Sequence, residues 1–209
     1  MSQANIQQAD SFQEFPMGVQ HRYFTFHSLA RKSTKELHEI FMRGLQPRLE
    51  DLEGWEFRGW NVSSLTRVLG FQKFKKGFQH IVRPSKVTSI NEYKQSTLHG
   101  YNVVVRQNRL VDPHLALPNE LHPKRHGFYL VAPVTMGEKD CKYPHALLLD
   151  YSKGPTNPIW DPSTLLRDYL VKPDPENADL FLGKAYLALG PQRVFAGYFI
   201  LERYNHIGL

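Results

Sequence analysis

The chain of 209 residues carries 26 Lys and Arg against 20 Asp and Glu, and 41% of its residues are hydrophobic. Its single cysteine, Cys141, excludes both an intramolecular disulfide and a metal site built on several cysteines. No run approaches the ~20 apolar residues of a bilayer-spanning helix, and the polar first twenty residues lack the apolar run of a secretory signal. We therefore expect a cytoplasmic protein without a membrane span.

The first clear element in the chain is a helix that begins after Ser33. Ser33 and Glu36 have the spacing of a capping box, in which each side chain accepts from the backbone N–H of the other residue. Apolar residues follow at helical spacing, and a glycine and a proline then supply a stop. The pattern predicts one amphipathic helix over residues 34–43, preceded by a loose arm over residues 1–20.

Beyond residue 47, short apolar or alternating runs recur between Gly, Pro and Asn, which is typical of strands in a sandwich or a barrel. The candidate strands cover residues 55–61, 71–78, 80–82, 87–91, 95–106, 128–134, 145–151, 169–172, 180–189 and 194–204. Asp161 followed by Pro162 predicts a capped, short late helix. The Pro- and His-rich residues 110–126 predict a long loop, and Gly190 lies in a predicted hairpin turn.

The last two predicted strands indicate how the sheet is arranged. Residues 180–189, LFLGKAYLAL, are apolar on both alternating faces except at Lys184, and residues 194–201, VFAGYFIL, are apolar throughout. A sheet with one wet face would alternate, so both faces must be covered. We predict a mainly β fold, an antiparallel up-and-down barrel of eight to ten strands with an N-terminal helix and one short late helix. Residues 1–48 are the predicted arm and helix packing on the barrel, and residues 49–209 the predicted ligand-binding barrel domain.

Residues at the start and the end of this sheet carry a family resemblance. The first strand is marked by Gly54, Trp55, Gly59 and Trp60, and the last strand ends in Arg203. Together with the helix and the meander of strands, this pattern resembles the lipocalin-like (calycin) barrels. The resemblance implies a cup-shaped interior that holds one small, largely apolar molecule, and a basic residue of the last strand stacked across a first-strand tryptophan. The glycine spacing departs from the family motif and leaves open which indole Arg203 meets.

The candidate ligand-binding residues are aromatic side chains of the strands and the basic residue of the last strand. They are Trp55, Phe57, Trp60, Tyr129, Tyr186, Tyr198 and Arg203. The tyrosines combine an apolar body with a donor that orients a polar ligand group. Core packing and closure of one barrel end are the alternative role of the same residues.

The acid–base candidates lie at strand ends. Asp150 and Tyr151 follow the apolar run HALLL, and His126 precedes the strand FYLVAPV at a predicted barrel rim. A carboxylate in a dry pocket can act as a general base, and a phenol can hold an oxyanion. The alternative role of Asp150, like that of Asp168, is to cap a turn or to pair with an arginine. The proline within HPKRH disfavours a helical pair of histidine ligands, so we expect no metal site and no cofactor.

Residues 57–111 hold ten basic residues and one acid, a net charge of +9 in a chain whose total is +6. Such a field favours anionic partners, and strands with solvated basic faces are the alternative. Strict alternation over residues 71–78 places Phe74, Lys76 and Phe78 on one face and the other two lysines on the opposite face. Nucleic-acid binding requires basic and aromatic residues displayed together on one exposed face, so this pattern disfavours it.

The sequence therefore favours a barrel that binds a small, mostly hydrophobic molecule, with an anionic group attracted by the basic half. An enzyme of the isomerase or cyclase type on the same scaffold is the first alternative. A nucleic-acid or anionic-surface binding module is the second. A titratable side chain inside the cavity without a structural partner would distinguish the enzyme from the carrier, because the fold alone does not separate them.

Overall fold

The computed structural model describes residues 24–63, 66, 68, 70–80, 98–158 and 160–207. Within these residues eight antiparallel strands form a closed barrel in chain order, and the last strand pairs with the first. The strands are β1 (Trp55–Asn61), β2 (Lys73–His80), β3 (Leu98–Val103), β4 (Arg125–Pro133), β5 (Leu147–Asp150), β6 (Leu166–Val171), β7 (Leu180–Leu189) and β8 (Gln192–His206). The predicted up-and-down barrel is confirmed. The predicted arm, the predicted strand over residues 87–91 and residues 81–82 lie outside the described residues.

Two α-helices precede the barrel. The first, α1 (Phe26–Ala30), was not predicted, because five residues are too few for an apolar period to be visible. The second, α2 (Thr34–Arg43), has the predicted bounds. Ser33 Oγ accepts from the backbone N–H of Glu36 at 3.3 Å, and the Ser33 N–H donates to Glu36 Oε2 at 2.9 Å. Neither helix in the described part of the chain has the length and apolar character that crossing a bilayer requires.

Two local elements of the later chain also match their predictions. The late helix is a 3-10 helix, Pro162–Leu165, and the Asp161 side chain caps it by accepting from the backbone N–H of Ser163 at 2.8 Å. The predicted hairpin joins β7 to β8, and Gly190 in its turn has a φ of +59°, a conformation that glycine adopts without steric cost. Both follow from neighbouring residues alone.

The helices cover the outer face of β6, β7 and β8. Phe26 of α1 and Phe41 of α2 are fully buried in one cluster with Leu182 and Ile200 from that outer face. Burial of a side chain of this size contributes roughly 1.5–3 kcal/mol. The next residue along β7, Phe181, belongs instead to a cluster inside the barrel. The strands are therefore apolar on both faces for the predicted reason, because the closed sheet has an interior and a helix-covered exterior.

The barrel interior is packed at one end and hollow toward the other. Phe57 meets Phe78 and Phe181 edge to face, with ring centroids 5.5 and 5.3 Å apart. Toward the other end, inward positions carry small residues. A Cβ at Gly183 would overlap the ring of Phe199, so the ring lies against the strand where only glycine leaves room.

The packed end is closed by Arg203 of β8. Its guanidinium carbon lies 4.5 Å from the centroid of the Trp55 ring and 5.5 Å from that of Phe57. Its Nη2 donates to the backbone oxygens of Asp51, at 2.8 Å, and Ala178, at 3.0 Å. The indole that Arg203 meets is therefore that of Trp55, and one residue ties the start of β1 to the end of β8.

The segment between β3 and β4, residues 104–124, packs over the outer face of β2. Lys73 Nζ donates there to the backbone oxygens of residues 109, 112 and 113 at 2.8–3.3 Å, and Lys75 Nζ donates to Glu120 Oε2 at 2.8 Å. Lys73 is only 2% exposed and Lys75 is 0% exposed. The alternative of solvated basic faces is therefore wrong for these two lysines, which hold the covering segment in place.

His114 of the same segment is fully buried against β1. Its Nε2 lies 3.0 Å from the backbone oxygen of Gly59, and because a carbonyl only accepts, this nitrogen carries the proton. Burial, and then the nearby charge of Lys73, lower the pKa of His114 to about 3. The imidazole is therefore neutral at pH 7, and its protonation opposes this packing.

Candidate functional site

A cavity of about 340 Å³ occupies the end of the barrel away from Arg203. Its wall is mostly apolar, and the inward or rim residues that form much of it are Phe71, Phe74, Val105, Leu166, Ala185 and Phe199. This volume is at the small end of the range of ligand pockets, about 300–1,000 Å³. At about 30 Å³ per water-sized group, it has room for roughly eleven such groups.

Lys76 of β2 supplies the central polar group of this cavity. The alternation of β2 places it on one face with Phe74 and Phe78, as the sequence predicted. That face is the inside of the barrel, and Lys76 is 2% exposed. Its Nζ donates to Asn102 Oδ1 at 3.0 Å, to Asp168 Oδ2 at 3.1 Å and to the Tyr151 hydroxyl. Three strands and the turn after β5 thus converge on one ammonium group.

Aromatic rings surround the ammonium group of Lys76. Its Nζ lies 4.7 Å from the ring centroid of Tyr129, 5.0 Å from that of Tyr151 and 5.2 Å from that of Phe199. Cation–π attraction of this kind is strongest where water is excluded. Burial lowers the pKa of Lys76, and the charge and hydrogen bond of Asp168 partly offset that effect. Asp168 therefore opposes the effect of burial on Lys76 without cancelling it.

Tyr151 and Asn102 complete the network. The Tyr151 hydroxyl donates to Asp168 Oδ2 at 3.0 Å, and Asn102 Nδ2 donates to the backbone oxygen of Gly127 at 3.1 Å and to the Tyr151 hydroxyl at 3.3 Å. Burial, and then the charge of Asp168, raise the pKa of Tyr151 well above its usual value. Asp168 Oδ1 is buried and has no hydrogen-bond partner. Asp168 lines the cavity, and its buried Oδ1 is the unpaired polar atom of the network.

Four of the predicted ligand-binding residues lie in or at the packed end of the barrel. Phe57 is part of the packed interior, and Trp55 lies under Arg203. Tyr129 is fully buried beneath the Lys76 network, and its hydroxyl donates to the backbone oxygen of Gly77 at 3.2 Å. None of these four residues is among those that line the cavity.

The other three predicted ligand-binding residues belong to the cluster beneath the helices. Trp60 packs against that cluster, and the Tyr186 hydroxyl lies 2.7 Å from the Tyr143 hydroxyl. Tyr198 approaches His38 of α2, with 3.0 Å between its hydroxyl and Nδ1, and it also contributes to the cavity wall. Contact with a ligand stays a prediction for all seven residues.

The two catalytic candidates lie apart from each other. Asp150 is on the outside of the barrel, where its Oδ1 accepts from the backbone N–H of Ser152 at 3.0 Å and forms an ion pair with Arg167 Nε at 3.2 Å. His126 lies at the cavity rim, where partial desolvation of its ring lowers its pKa. Catalysis by either residue stays a prediction, and the polar groups that the fold does bring together are Lys76, Asn102, Tyr151 and Asp168.

Of those four residues, Tyr151 and Asp168 are among the polar strand residues noted from the sequence. A lysine on an otherwise aromatic face was the available signal for Lys76, whereas no local signal marks Asn102. Within the described ranges, no group of three or more His, Cys, Asp or Glu side chains is arranged to hold a metal ion. No protein-family model matches the sequence, and no curated protein or solved structure is significantly similar to it.

Proposed function

We propose that this protein binds a small, mostly hydrophobic molecule inside a lipocalin-like (calycin) barrel. The observation that carries the proposal is the cavity of about 340 Å³, whose wall is mostly apolar and in which Lys76 gathers three polar side chains around one ammonium group. Concave, mostly apolar sites with a few placed polar groups are typical of small-molecule binding. The occupant is a molecule of roughly eleven non-hydrogen atoms or somewhat more.

The packed end of the barrel supports the lipocalin-like assignment. Arg203 of the last strand stacks across Trp55 of the first, which is the arrangement that the family resemblance implies. The helix that precedes the barrel packs on its outside, next to β7 and β8. We assign residues 49–209 to the ligand-binding domain and residues 1–48 to its N-terminal attachment.

Native mass spectrometry of the protein purified from its own organism tests the proposal. We expect a non-covalent adduct of one small molecule, because removal of apolar ligand surface from water into this apolar cavity is favourable. Ala185→Phe fills the cavity from β7 and should abolish the adduct. Leu189→Phe, at a half-exposed position on the same strand, is the matched control and should retain it. Repeated wild-type preparations without an adduct, or an adduct retained by Ala185→Phe, would overturn the proposal.

An enzyme on the same scaffold is the second candidate function. It is favoured by the unpaired Asp168 Oδ1 beside the Tyr151 hydroxyl, because a buried carboxylate and a phenol can exchange protons with a substrate. Asp168 also has Lys76 as a structural partner, which favours the carrier. Incubation of the co-purified molecule with fresh protein separates the two, since an isomerase converts it at unchanged mass and a carrier returns it unaltered.

Nucleic-acid binding has less support than either. The three lysines of β2 are no more than 2% exposed, so this part of the basic stretch presents no charge to a polynucleotide.

A further inference from the structure

In the polar network of Lys76, Asn102, Tyr151 and Asp168, every N–H and O–H hydrogen atom is donated to an acceptor of the protein. The three ammonium hydrogens of Lys76 go to Asn102, Tyr151 and Asp168. An ammonium group has no fourth donor. A ligand group therefore cannot accept a hydrogen bond from Lys76 without breaking one that already exists.

The other two donor groups of the network are also used. The only hydroxyl hydrogen of Tyr151 goes to Asp168 Oδ2, and the two amide hydrogens of Asn102 go to Gly127 and Tyr151. The single polar atom of these four side chains that lacks a partner is an acceptor, Asp168 Oδ1. An unsatisfied buried acceptor is costly, and a donor from a bound molecule removes that cost.

The charges of the network select among possible donors. Lys76 and Asp168 form an ion pair at 3.1 Å, so the pair has no net charge. An anionic group finds no free donor among Lys76, Asn102 and Tyr151 and meets the carboxylate of Asp168. A protonated amine meets the ammonium of Lys76, and like charges repel strongly where water is excluded. A neutral hydroxyl donates to Asp168 Oδ1 without adding charge.

We propose that the ligand is an apolar alcohol whose hydroxyl group donates to Asp168 Oδ1, with its hydrocarbon part against the apolar wall of the cavity. This inference rests on the proposed function and names its ligand class. It replaces the anionic group expected from the basic stretch of the sequence, because Lys76, the central polar group of the cavity, is already paired with Asp168.

The test compares four probes of nearly equal size on the wild-type protein by isothermal titration calorimetry at pH 7. The probes are octan-1-ol, heptyl methyl ether, octanoate and octylammonium. We expect octan-1-ol to bind at least tenfold more tightly than the ether, which has no donor, as one hydrogen bond to a charged acceptor implies. Octanoate and octylammonium should bind more weakly than octan-1-ol. This comparison needs no variant and does not depend on how any variant folds.

Variants then locate the preference. In Lys76→Met/Asp168→Leu both charges are removed together, and the alcohol should lose its advantage over the ether while both still bind. Asp150→Asn is the matched control, because Asp150 is a buried carboxylate on the outside of the barrel. Its variant should keep the full preference for the alcohol.

The outcomes separate this inference from the function on which it rests. If the ether or octanoate binds as tightly as octan-1-ol, the alcohol assignment is overturned and small-molecule binding stands. If octylammonium binds most tightly, the anchor recognises a cation and the assignment is again overturned. If none of the four probes binds and no adduct co-purifies, the proposed function itself fails.

Discussion

The Lys76–Asp168 ion pair lends itself to a double-mutant cycle, with Lys76→Met as the first variant. Methionine keeps most of the apolar stem of the lysine but leaves the Asp168 carboxylate buried with Tyr151 as its remaining donor. Removal of one partner from a buried ion pair costs about 3–5 kcal/mol, because an uncompensated charge stays behind. We therefore expect Lys76→Met to lower the free energy of unfolding by about 4 kcal/mol.

The second arm of the cycle is Asp168→Leu, and the third is the double variant. Asp168→Leu leaves the ammonium with Asn102 and Tyr151, so its cost should be similar, about 3 kcal/mol. The double variant leaves no buried charge, and we expect it within about 2 kcal/mol of the wild type. The coupling energy between the two positions should then exceed about 3 kcal/mol.

The assay is urea unfolding at pH 7, followed by tryptophan fluorescence. With a slope of about 2 kcal/mol per molar urea, Lys76→Met should shift the midpoint downward by about 2 M. Lys153→Met is the control, because the exposed Lys153 lies 3.7 Å from Asp150, which keeps Arg167 as a partner, so its loss should cost at most about 0.5 kcal/mol. A Lys76→Met protein as stable as the control, or a double variant that loses the sum of the two single effects, would refute the reasoning.

Three further predictions concern other parts of the barrel. Gly183→Ala should lower the free energy of unfolding by about 1–3 kcal/mol and weaken octan-1-ol binding, because the new methyl group displaces Phe199, which lines the cavity. Urea-unfolding and calorimetry curves identical to those of the wild type would contradict this prediction. His114→Gln should unfold at lower pH than the wild type in an acid titration. The folded state holds His114 neutral with a pKa of about 3, so the wild type loses stability as the pH falls from about 6.5 toward 3, and glutamine does not titrate. An equal or higher midpoint pH would show that protonation of His114 does not drive acid unfolding. Arg203→Lys should cost about 1–2 kcal/mol in urea unfolding and change the Trp55 fluorescence, because the planar group that covers the indole is lost. Octan-1-ol binding should be unchanged, because Arg203 lies at the packed end of the barrel. A loss of binding would show that the two ends of the barrel are coupled.

Much of the fold could be predicted from the sequence because its signals are local. The capping box at Ser33 fixes the start of α2, and the two-sided apolar pattern of residues 180–189 gives both the bounds of β7 and the closure of the sheet. Where a strand carries charge the prediction was less accurate. The predicted strand over residues 169–172 begins too late, because Arg167 and Asp168 interrupt the apolar run although both belong to β6 and are buried.

The candidate site depended on information that no local pattern contains. Alternation predicted correctly that Lys76 shares a face with Phe74. In β7 and β8 both faces are buried, so alternation alone did not tell which tyrosines point into the barrel. Tyr186, a predicted ligand-binding residue, faces the helices instead. The partner of Lys76 is Asp168, 92 residues further along the chain, and the two meet only because the closed barrel turns both side chains into the same interior. The sequence determined which residues lie on a common face, and closure of the barrel decided which face became the inside and which charges meet there.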